Sequence, residues 1–406
     1  MTETRLPLAA APTGDTRVIA AVSAAHFVSH YFILILPPVF EMVRTEFKVS
    51  YTELGFALVA FNVMCAAFQT PAGFLVDRIG ARRVLVFGLV TGALALAAAG
   101  LVHSFWLFVV LFGLGGLGNS VYHPADYAAL SDRVAAERIG RAYSVHTFSG
   151  MLGGAAAPAT MLFLESQIGW RGAFVASALP GLALAAWLAL PGRDVLPARP
   201  RAAHDRAAAA DSSVRLLTSP VILLNFVFFA LFAVFQLGLQ NYSAVALAAG
   251  YGLPLAAASV ALTAYLLLSA IGVLLGGFPV GRISPALLTA AGMLVVAVCT
   301  ALLATVDLGT VGAVLALGIA GLAGGIAMPA RDMIVRAVTP PGQFGKVFGF
   351  VTTGFNIAGV VAPVIFGLLM DHGRPGGVFL VVAAACLLSI ATVVGGRTPA
   401  LARPRD

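Results

Sequence analysis

The chain has 406 residues, of which 60% are hydrophobic and 10% are charged, and its formal net charge is +7. A soluble domain carries about 25% charged residues, so this composition excludes an ordinary soluble protein. The mean hydropathy of +0.97 is typical of a chain whose surface faces lipid.

Ten stretches of the sequence lack Asp, Glu, Lys and Arg and are long enough to cross a bilayer, which takes about 20 helical residues. Only helices and closed barrels satisfy every backbone group in hydrocarbon, and these runs lack the alternation of barrel strands. Two stretches hold two helices each, divided near His103-Ser104 and at Gly250–Pro254. We therefore predict an all-α integral membrane protein with twelve transmembrane helices. The stretches are 18–40, 54–76, 84–125, 142–164, 172–192, 216–281, 283–306, 308–330, 347–370 and 375–396.

The basic residues predict the orientation. An even number of spans places both termini on one side. With the termini in the cytoplasm, only Arg44, Lys48, Arg171 and Arg374 of the 24 Lys and Arg residues fall outside, in agreement with the positive-inside rule. We expect a multi-pass protein of the bacterial inner membrane without a cleaved signal peptide. The positive net charge then reflects topology and indicates no nucleic-acid partner.

The second half of the sequence repeats the first at a constant offset of 205 residues. The offset holds across five predicted elements, which predicts two pseudo-symmetric six-helix halves. Matching pairs include Gly116 and Gly321, Pro124 and Pro329, Gly140 and Gly345, Arg141 and Lys346, and Pro158 and Pro363.

A charged, Pro- and Ala-rich segment separates the two halves and is typical of a linker. We assign residues 1–190 to the N-terminal half, 191–218 to a cytoplasmic linker with a short surface helix, and 219–406 to the C-terminal half.

The loop after the second predicted helix carries a recognisable motif. Its key residues are Gly73, Asp77, Arg78, Gly80, Arg82 and Arg83. The pattern resembles the signature loop of the major facilitator superfamily. The resemblance implies two halves that rock about a central site, a cytoplasmic gate at these residues, and an Asp77 that stabilises one access state against the eleventh helix. The corresponding loop, 276–282, keeps its glycines but has no acid.

A narrower resemblance covers the fourth and fifth helices. Residues 118–124 (Gly-Asn-Ser-Val-Tyr-His-Pro) and 138–142 are similar to the fosmidomycin-resistance group of efflux proteins. This resemblance implies proton-coupled efflux of a small molecule. Phe112 stands where many drug/proton antiporters of the superfamily carry a membrane-embedded Arg.

Polar residues inside transmembrane helices are costly, so they face the bundle interior and mark a pathway. In the first half they are His26, His30, Asn119, Tyr122, His123, Asp126 and His146. Their spacing places the residues of the first helix on one face of that helix, and the residues of the fourth helix on one face of the fourth. We predict that His30, His123 and Asp126 form a proton-coupling group, because His titrates near neutral pH. Two alternatives to this group remain, a structural hydrogen-bond network and a metal site. We favour the metal site least and expect no bound metal ion.

The polar residues of the second half are neutral and suit hydrogen bonding to a solute. We predict a substrate cavity lined by Asn225, Gln236, Gln240, Tyr265 and Asn356, with the first three on one helical face. No Lys or Arg is expected at mid-membrane, which favours neutral, weakly anionic or amphiphilic solutes. The Arg331-Asp332 pair is expected to form an inner-gate or loop ion pair, with a solvated surface pair as the alternative.

The sequence therefore predicts a secondary active transporter working by alternating access, with proton-coupled efflux as the first choice. Proton-coupled uptake of a small organic solute and a non-transporting membrane sensor of the same fold are the alternatives. No Walker-type loop is present, so direct use of ATP is not expected. No enzymatic activity and no cofactor are expected either, because beyond the histidine group the sequence shows no convergent nucleophile, metal site or acid pair. The expected partners are a small molecule, protons and the bilayer, and the protein is expected to be a monomer. Cys65, Cys299 and Cys386 fall inside spans and predict no disulfide.

Overall fold

The computed structural model describes residues 13–49, 51–190, 196, 209–279 and 282–395. Long apolar helices dominate these ranges, and we number the membrane-spanning ones α1 to α12. They are α1 (Thr13–Ile33), α2 (Tyr51–Ile79), α3 (Ala81–Ala99), α4 (Phe105–Arg133), α5 (139–168), α6 (170–189), α7 (Pro220–Tyr251), α8 (Leu255–Gly276), α9 (Pro285–Thr305), α10 (Gly309–Val338), α11 (Phe344–Asp371) and α12 (Gly376–Gly395).

The described residues confirm twelve spans. Eleven segments are long and apolar enough to cross a bilayer, and one of them, Ile139–Ala189, has 51 residues. At 1.5 Å per residue that segment is about 77 Å long, roughly twice a bilayer. It is broken at Gly169, whose φ of 69° is left-handed, so it forms the two helices α5 and α6. The predicted breaks before α4 and α8 are also present, the latter at Gly252 with a φ of 63°.

Successive helices run in opposite directions and give the bundle two distinct ends. We call one of them the basic end; it holds the loops α2–α3, α4–α5, α8–α9 and α10–α11. Its name reflects Arg78, Arg82, Arg83, Arg138 and Arg336, which cluster near these loops. We call the other the opposite end; it holds the loops α1–α2, α3–α4, α5–α6, α7–α8, α9–α10 and α11–α12.

A short helix at the opposite end, Phe40–Phe47, was not predicted from the sequence. Its Glu46 accepts hydrogen bonds from Trp170 Nε1 (2.6 Å) and Arg171 Nε (2.8 Å). Partial burial alone raises the pKa of Glu46, but the hydrogen bonds from Arg171 and Trp170 and the charge of Arg171 outweigh burial and lower it. Arg171 also donates to two carbonyls of the α3–α4 loop. These contacts brace the opposite end of the first half.

The repeat seen in the sequence is a repeat in packing. Gly116 of α4 lies directly against the backbone of Phe61 in α2, and Gly321 of α10 lies in the same way against the backbone of Tyr265 in α8. A side chain at either glycine would collide with the neighbouring helix. The pair of matched glycines therefore allows equivalent close helix contacts in the two halves.

The two halves meet through α2 with α11 and through α5 with α8. Gly73 and Gly345 bring α2 and α11 into backbone contact, since a Cβ on Gly345 would lie 2.6 Å from the Gly73 carbonyl oxygen. Gly277, directly after α8, packs on Arg141 of α5, whose guanidinium lies 5.1 Å from the ring centre of Phe278. All these residues are near the basic end, where the two halves are closed on each other.

The predicted linker, 191–218, lies mostly outside the described residues, as do Gly281 and both termini. Its last part forms a helix, Ala209–Leu217. Ser213 of this helix is buried and accepts a hydrogen bond from Lys346 Nζ (3.0 Å) at the start of α11. The assigned boundaries of the halves and the linker stay predictions.

Candidate functional site

Four histidines of the first half form one cluster in the bundle interior. His26 and His30 come from α1, His123 from α4 and His146 from α5. The ring of His26 is stacked on His146, with 3.8 Å between ring centres, and lies 4.5 Å from His30 and 5.3 Å from His123. The structure therefore brings together all the histidines that the sequence analysis selected.

The hydrogen bond of His26 fixes its tautomer. His26 Nδ1 lies 2.9 Å from the carbonyl oxygen of His146. A carbonyl only accepts, so Nδ1 carries the hydrogen and the neutral ring has its lone pair on Nε2. His26 Nε2 is buried and has no hydrogen-bond partner among the described residues. This nitrogen is therefore not engaged by the protein and is available to a proton or another ligand.

Asp126 lies one helical turn after His123 on α4 and is fully buried. Neither carboxyl oxygen has a hydrogen-bond partner in the part of the chain that the structure describes. The closest basic group is His146, whose Nδ1 is 4.0 Å from Oδ2. Tyr122, one turn before Asp126, is also buried with its hydroxyl unpaired among the described residues. A buried polar group without a hydrogen-bond partner is costly, and the cost is larger for a charged carboxylate than for a hydroxyl. The carboxyl group of Asp126 therefore needs an explanation more than the hydroxyl of Tyr122 does.

Asn119 belongs to a separate chain of hydrogen bonds beside the histidines. Ser29 Oγ of α1 donates to Asn119 Oδ1 (2.8 Å), and Asn119 Nδ2 lies 3.6 Å from Cys65 Sγ of α2. Cys65 in turn donates to Gln69 Oε1 (3.5 Å). The predicted residue Asn119 therefore links helices α1, α4 and α2.

Gln69 carries this chain of hydrogen bonds into the second half. Its Nε2 donates to Thr352 Oγ1 of α11, and its Oε1 accepts from Asn356 Nδ2 (3.0 Å). Gln69 is almost completely buried. The sequence analysis selected Asn356 but missed Gln69, although an amide in the middle of an apolar helix is a signal of the same kind as Asn119.

At the basic end, Asp77 holds the start of α11. Its Oδ1 accepts from the backbone N–H of Gly345 (2.9 Å) and its Oδ2 from that of Lys346 (3.0 Å). These are two of the unpaired N–H groups at the beginning of a helix, where a negative charge also interacts favourably with the helix dipole. The contact joins the first half to the second.

The other residues of the predicted gate have distinct positions. Gly80 has a φ of 91°, which lets the chain turn between α2 and α3. Arg82 donates to the carbonyls of Leu188 (2.6 Å) and Leu190 (2.7 Å), and so fixes the end of α6. Arg78 and Arg83 are exposed at the basic end.

The alternative of a solvated Arg331-Asp332 pair is wrong, because both side chains are buried inside the bundle. Arg331 Nε donates to Asp332 Oδ1 (2.8 Å), and Asp332 Oδ2 accepts from Tyr127 of the first half (2.9 Å). The guanidinium of Arg331 also lies within 5.2 Å of the ring centres of Phe229, Phe232 and Phe355. The pair forms part of the contact between the halves.

The predicted face of α7 is wrong in its register. Residues Gly238–Tyr242 form a π turn, which takes up an extra residue and breaks the helical spacing between Gln236 and Gln240. Gln240 is exposed and Gln236 half-buried, whereas Asn225 is buried and donates to the Val221 carbonyl of its own helix (2.8 Å). The three residues do not form one continuous polar face.

Tyr265 is buried inside the second half, where its backbone contacts Gly321. It contributes to helix packing between α8 and α10. Among the predicted second-half residues, Asn356 is the one that the structure joins by hydrogen bond to the polar network of the first half.

Comparison with known proteins identifies the family. A sequence model of the Major Facilitator Superfamily matches residues 22–257 and 231–406. The chain belongs to this superfamily. The predicted fold, twelve helices in two related halves, is thus confirmed, and the protein is a multi-pass membrane transporter and not an enzyme.

Individual relatives are distant. The chain is 24% identical to the fosmidomycin resistance protein of Escherichia coli over 97% of both chains. It is 30% identical to a probable L-galactonate transporter of the same organism, over 35% of this chain and 32% of that protein. Among solved structures, a bacterial homologue of the iron transporter ferroportin in an outward-facing state gives a TM-score of 0.77. That match has 14% identity, covers 95% of this chain and 99% of the other, and shows a common fold alone.

Proposed function

We propose that this protein is a proton-coupled efflux transporter for a small molecule and that it acts as a monomer in the bacterial inner membrane. The basic end and both termini would face the cytoplasm. The observation that carries the proposal is the buried carboxyl of Asp126 next to four clustered histidines in one half of a transporter fold.

The contacts between the halves support alternating access. Among the described residues, the hydrogen bonds that join the halves involve segments 69–77 and 127–131 on one side and 332–356 on the other. At 1.5 Å per residue, Gln69 lies about 15 Å from the basic end of α2. Towards the opposite end, a Cβ at Gly55 of α2, or at Gly359 and Gly367 of α11, would meet no atom within 4 Å among the described residues. We infer from this difference a state that is open away from the cytoplasm.

The polar cluster supports proton coupling. His30 and His123 are partly exposed although they lie deep in the bundle, so a proton can reach them from the open side. A proton on Asp126 removes the charge of an otherwise unpaired buried carboxylate. Coupling requires that the proton is bound more tightly in one access state than in the other. The Ser29–Asn119–Cys65–Gln69–Asn356 chain of hydrogen bonds links α1, beside the histidines, to α11, whose position differs between access states.

Efflux is favoured because the similarity to the fosmidomycin resistance protein extends over nearly the whole of both chains. The similarity to a probable L-galactonate transporter supports the second candidate, proton-coupled uptake of a small organic solute, but spans about a third of each protein. A sensor without transport activity is the third possibility that an experiment must separate from these two.

The test measures fosmidomycin accumulation in a drug-sensitive bacterial strain that expresses the protein. We expect lower accumulation, abolished by a protonophore and by Asp126→Asn or His30→Ala. The matched control is Asp371→Asn, which changes an exposed acid at the opposite end. Export that persists with the protonophore would overturn proton coupling. Increased accumulation would support uptake, and an absence of flux across a panel of drugs and organic acids would support the sensor.

A further inference from the structure

We propose that His26, His30 and His123 form a binding site for one divalent first-row transition-metal ion such as Zn²⁺, Co²⁺ or Ni²⁺. One nitrogen from each of the three rings lies within 4.8 Å of the corresponding nitrogen of the other two. Bound to one ion at about 2.0–2.1 Å, imidazole nitrogens are about 3.3 Å apart in tetrahedral geometry. The rings therefore need to approach each other by about 1.5 Å at most. The sequence favoured protons over a metal ion at these residues, and the geometry supports the metal alternative.

The hydrogen bond of His26 prepares this ring to bind a metal ion. A metal-binding histidine typically donates its other ring N–H to a carbonyl or carboxylate, which fixes its tautomer and orientation. His26 Nδ1 donates to the His146 carbonyl (2.9 Å), and its Nε2 is buried and unpaired among the described residues. A helix-packing role alone does not explain a buried nitrogen without a partner on a ring that lies beside two other imidazoles.

The other two ligands can adjust to an ion. His30 and His123 are partly exposed, whereas His26 is buried. His123 Nδ1 also has no hydrogen-bond partner within the described ranges. One rigid ligand and two adjustable ones permit the small ring movements that the coordination geometry requires. The partial exposure also gives an ion a path into the cluster.

The charges around the cluster are compatible with a cation. Asp126 on α4 provides an unpaired carboxyl group next to His146, which is itself stacked on His26. On the side of α10, Arg331 is positive, but its charge is balanced by its ion pair with Asp332 (2.8 Å). An imidazole with hydrogens on both nitrogens cannot bind a metal ion, so metal and proton compete for the same lone pairs. A histidine of this cluster therefore holds either the metal ion or a proton, and the metal site does not depend on proton coupling.

The three ligands come from α1 and α4 of one half. The rocking of the halves does not separate them, so the site remains assembled in both access states. Three neutral imidazoles suit borderline ions such as Zn²⁺, Co²⁺ and Ni²⁺, whereas Mg²⁺ and Ca²⁺ require oxygen ligands.

The experiment is a metal titration of the full-length protein, purified in detergent without a polyhistidine tag and stripped with EDTA. Zn²⁺ binding is measured by calorimetry, and Co²⁺ binding by its visible absorption. We expect one ion per chain and no binding of Mg²⁺. His30→Ala and His123→Ala should each weaken binding on the order of 100-fold or more, since even an outer contact of a metal ligand is worth about 10–100-fold.

The matched control is His372→Ala, which removes an exposed histidine at the opposite end and should leave the affinity unchanged. The melting temperature of each metal-free variant shows whether it has folded, and a misfolded alanine variant is replaced by His→Gln at the same position. No stoichiometric binding by the wild type, or equal affinity in folded His30 and His123 variants, would overturn the proposal. Because the titration needs no flux, its outcome is independent of the fosmidomycin experiment.

Discussion

The glycine contact between α2 and α11 predicts a specific effect of Gly345→Ala. An added Cβ would lie 2.6 Å from the carbonyl oxygen of Gly73 and 2.7 Å from Asp77 Oδ1. Backbone and a bound carboxylate cannot move away without opening the contact between α2 and α11. Overpacking of this kind costs about 1–3 kcal/mol. The penalty arises only when the basic end is closed, so the closed state should lose about 5- to 150-fold in population relative to a state open at that end.

The assay measures the distance between two spin labels at the basic end, one in each half. Ala136 and Ala337 are exposed there in opposite halves, and the native cysteines are buried. Double electron–electron resonance on the doubly labelled protein should show one short distance in the parent and a second, longer distance in Gly345→Ala.

The matched control is Gly359→Ala on the same helix, where a Cβ meets no atom within 4 Å. It should leave the distance distribution unchanged. An unchanged distribution in Gly345→Ala, or the same change in both variants, would refute the reasoning that this contact holds the basic end closed.

Three further predictions use the same or simpler measurements. Tyr127→Phe removes a hydrogen bond to the charged Asp332 (2.9 Å) and should weaken the closed state by about 1.5–3 kcal/mol; Tyr143→Phe, whose hydroxyl bonds within one half, should leave the label distances unchanged. Asp77→Ala removes both acceptors at the start of α11 and should destabilise the closed state by about 0.5–2 kcal/mol. The label distances should therefore shift towards those of the open state, and unchanged distances would contradict this. Glu46→Gln should lower the melting temperature at pH 7, because the pKa of this carboxyl is lowered in the folded protein. Its stabilisation is present above the unfolded pKa and lost as the pH falls through the folded pKa, so melting curves of both proteins should converge in acid, and a constant difference would contradict the assignment.

The sequence was sufficient for the number of spans and for the histidine cluster. Charge-free runs report the solvent of each segment directly, and the spacing of His26 and His30 defines one face of α1. The bundle interior is the one place where such a face can be buried in a membrane protein. For these features, local information and the hydrophobic environment are enough.

Contacts between segments that are distant in the sequence could not be predicted from it. Gln69 meets Thr352 across 283 positions, and periodicity along one helix does not reveal which face of another helix lies opposite. For Arg331 the sequence left an inner-gate pair, a loop pair and a solvated pair open, because the residue lies close to the end of α10. It does not reveal that three phenylalanines from other helices enclose its side chain. The π turn in α7 contacts α8, α11 and α12, and its sequence has no marker such as proline.

Two contacts between α4 and α10 join positions that are one repeat apart. Tyr127 bonds to Asp332, and Arg336 bonds to the carbonyl of Ser131 (3.3 Å), each across 205 residues. Each pair therefore joins two positions that the repeat makes equivalent in the two halves. Two first halves would now place a tyrosine against a tyrosine, and two second halves would oppose like charges. The halves are thus complementary at this contact because equivalent positions carry different side chains.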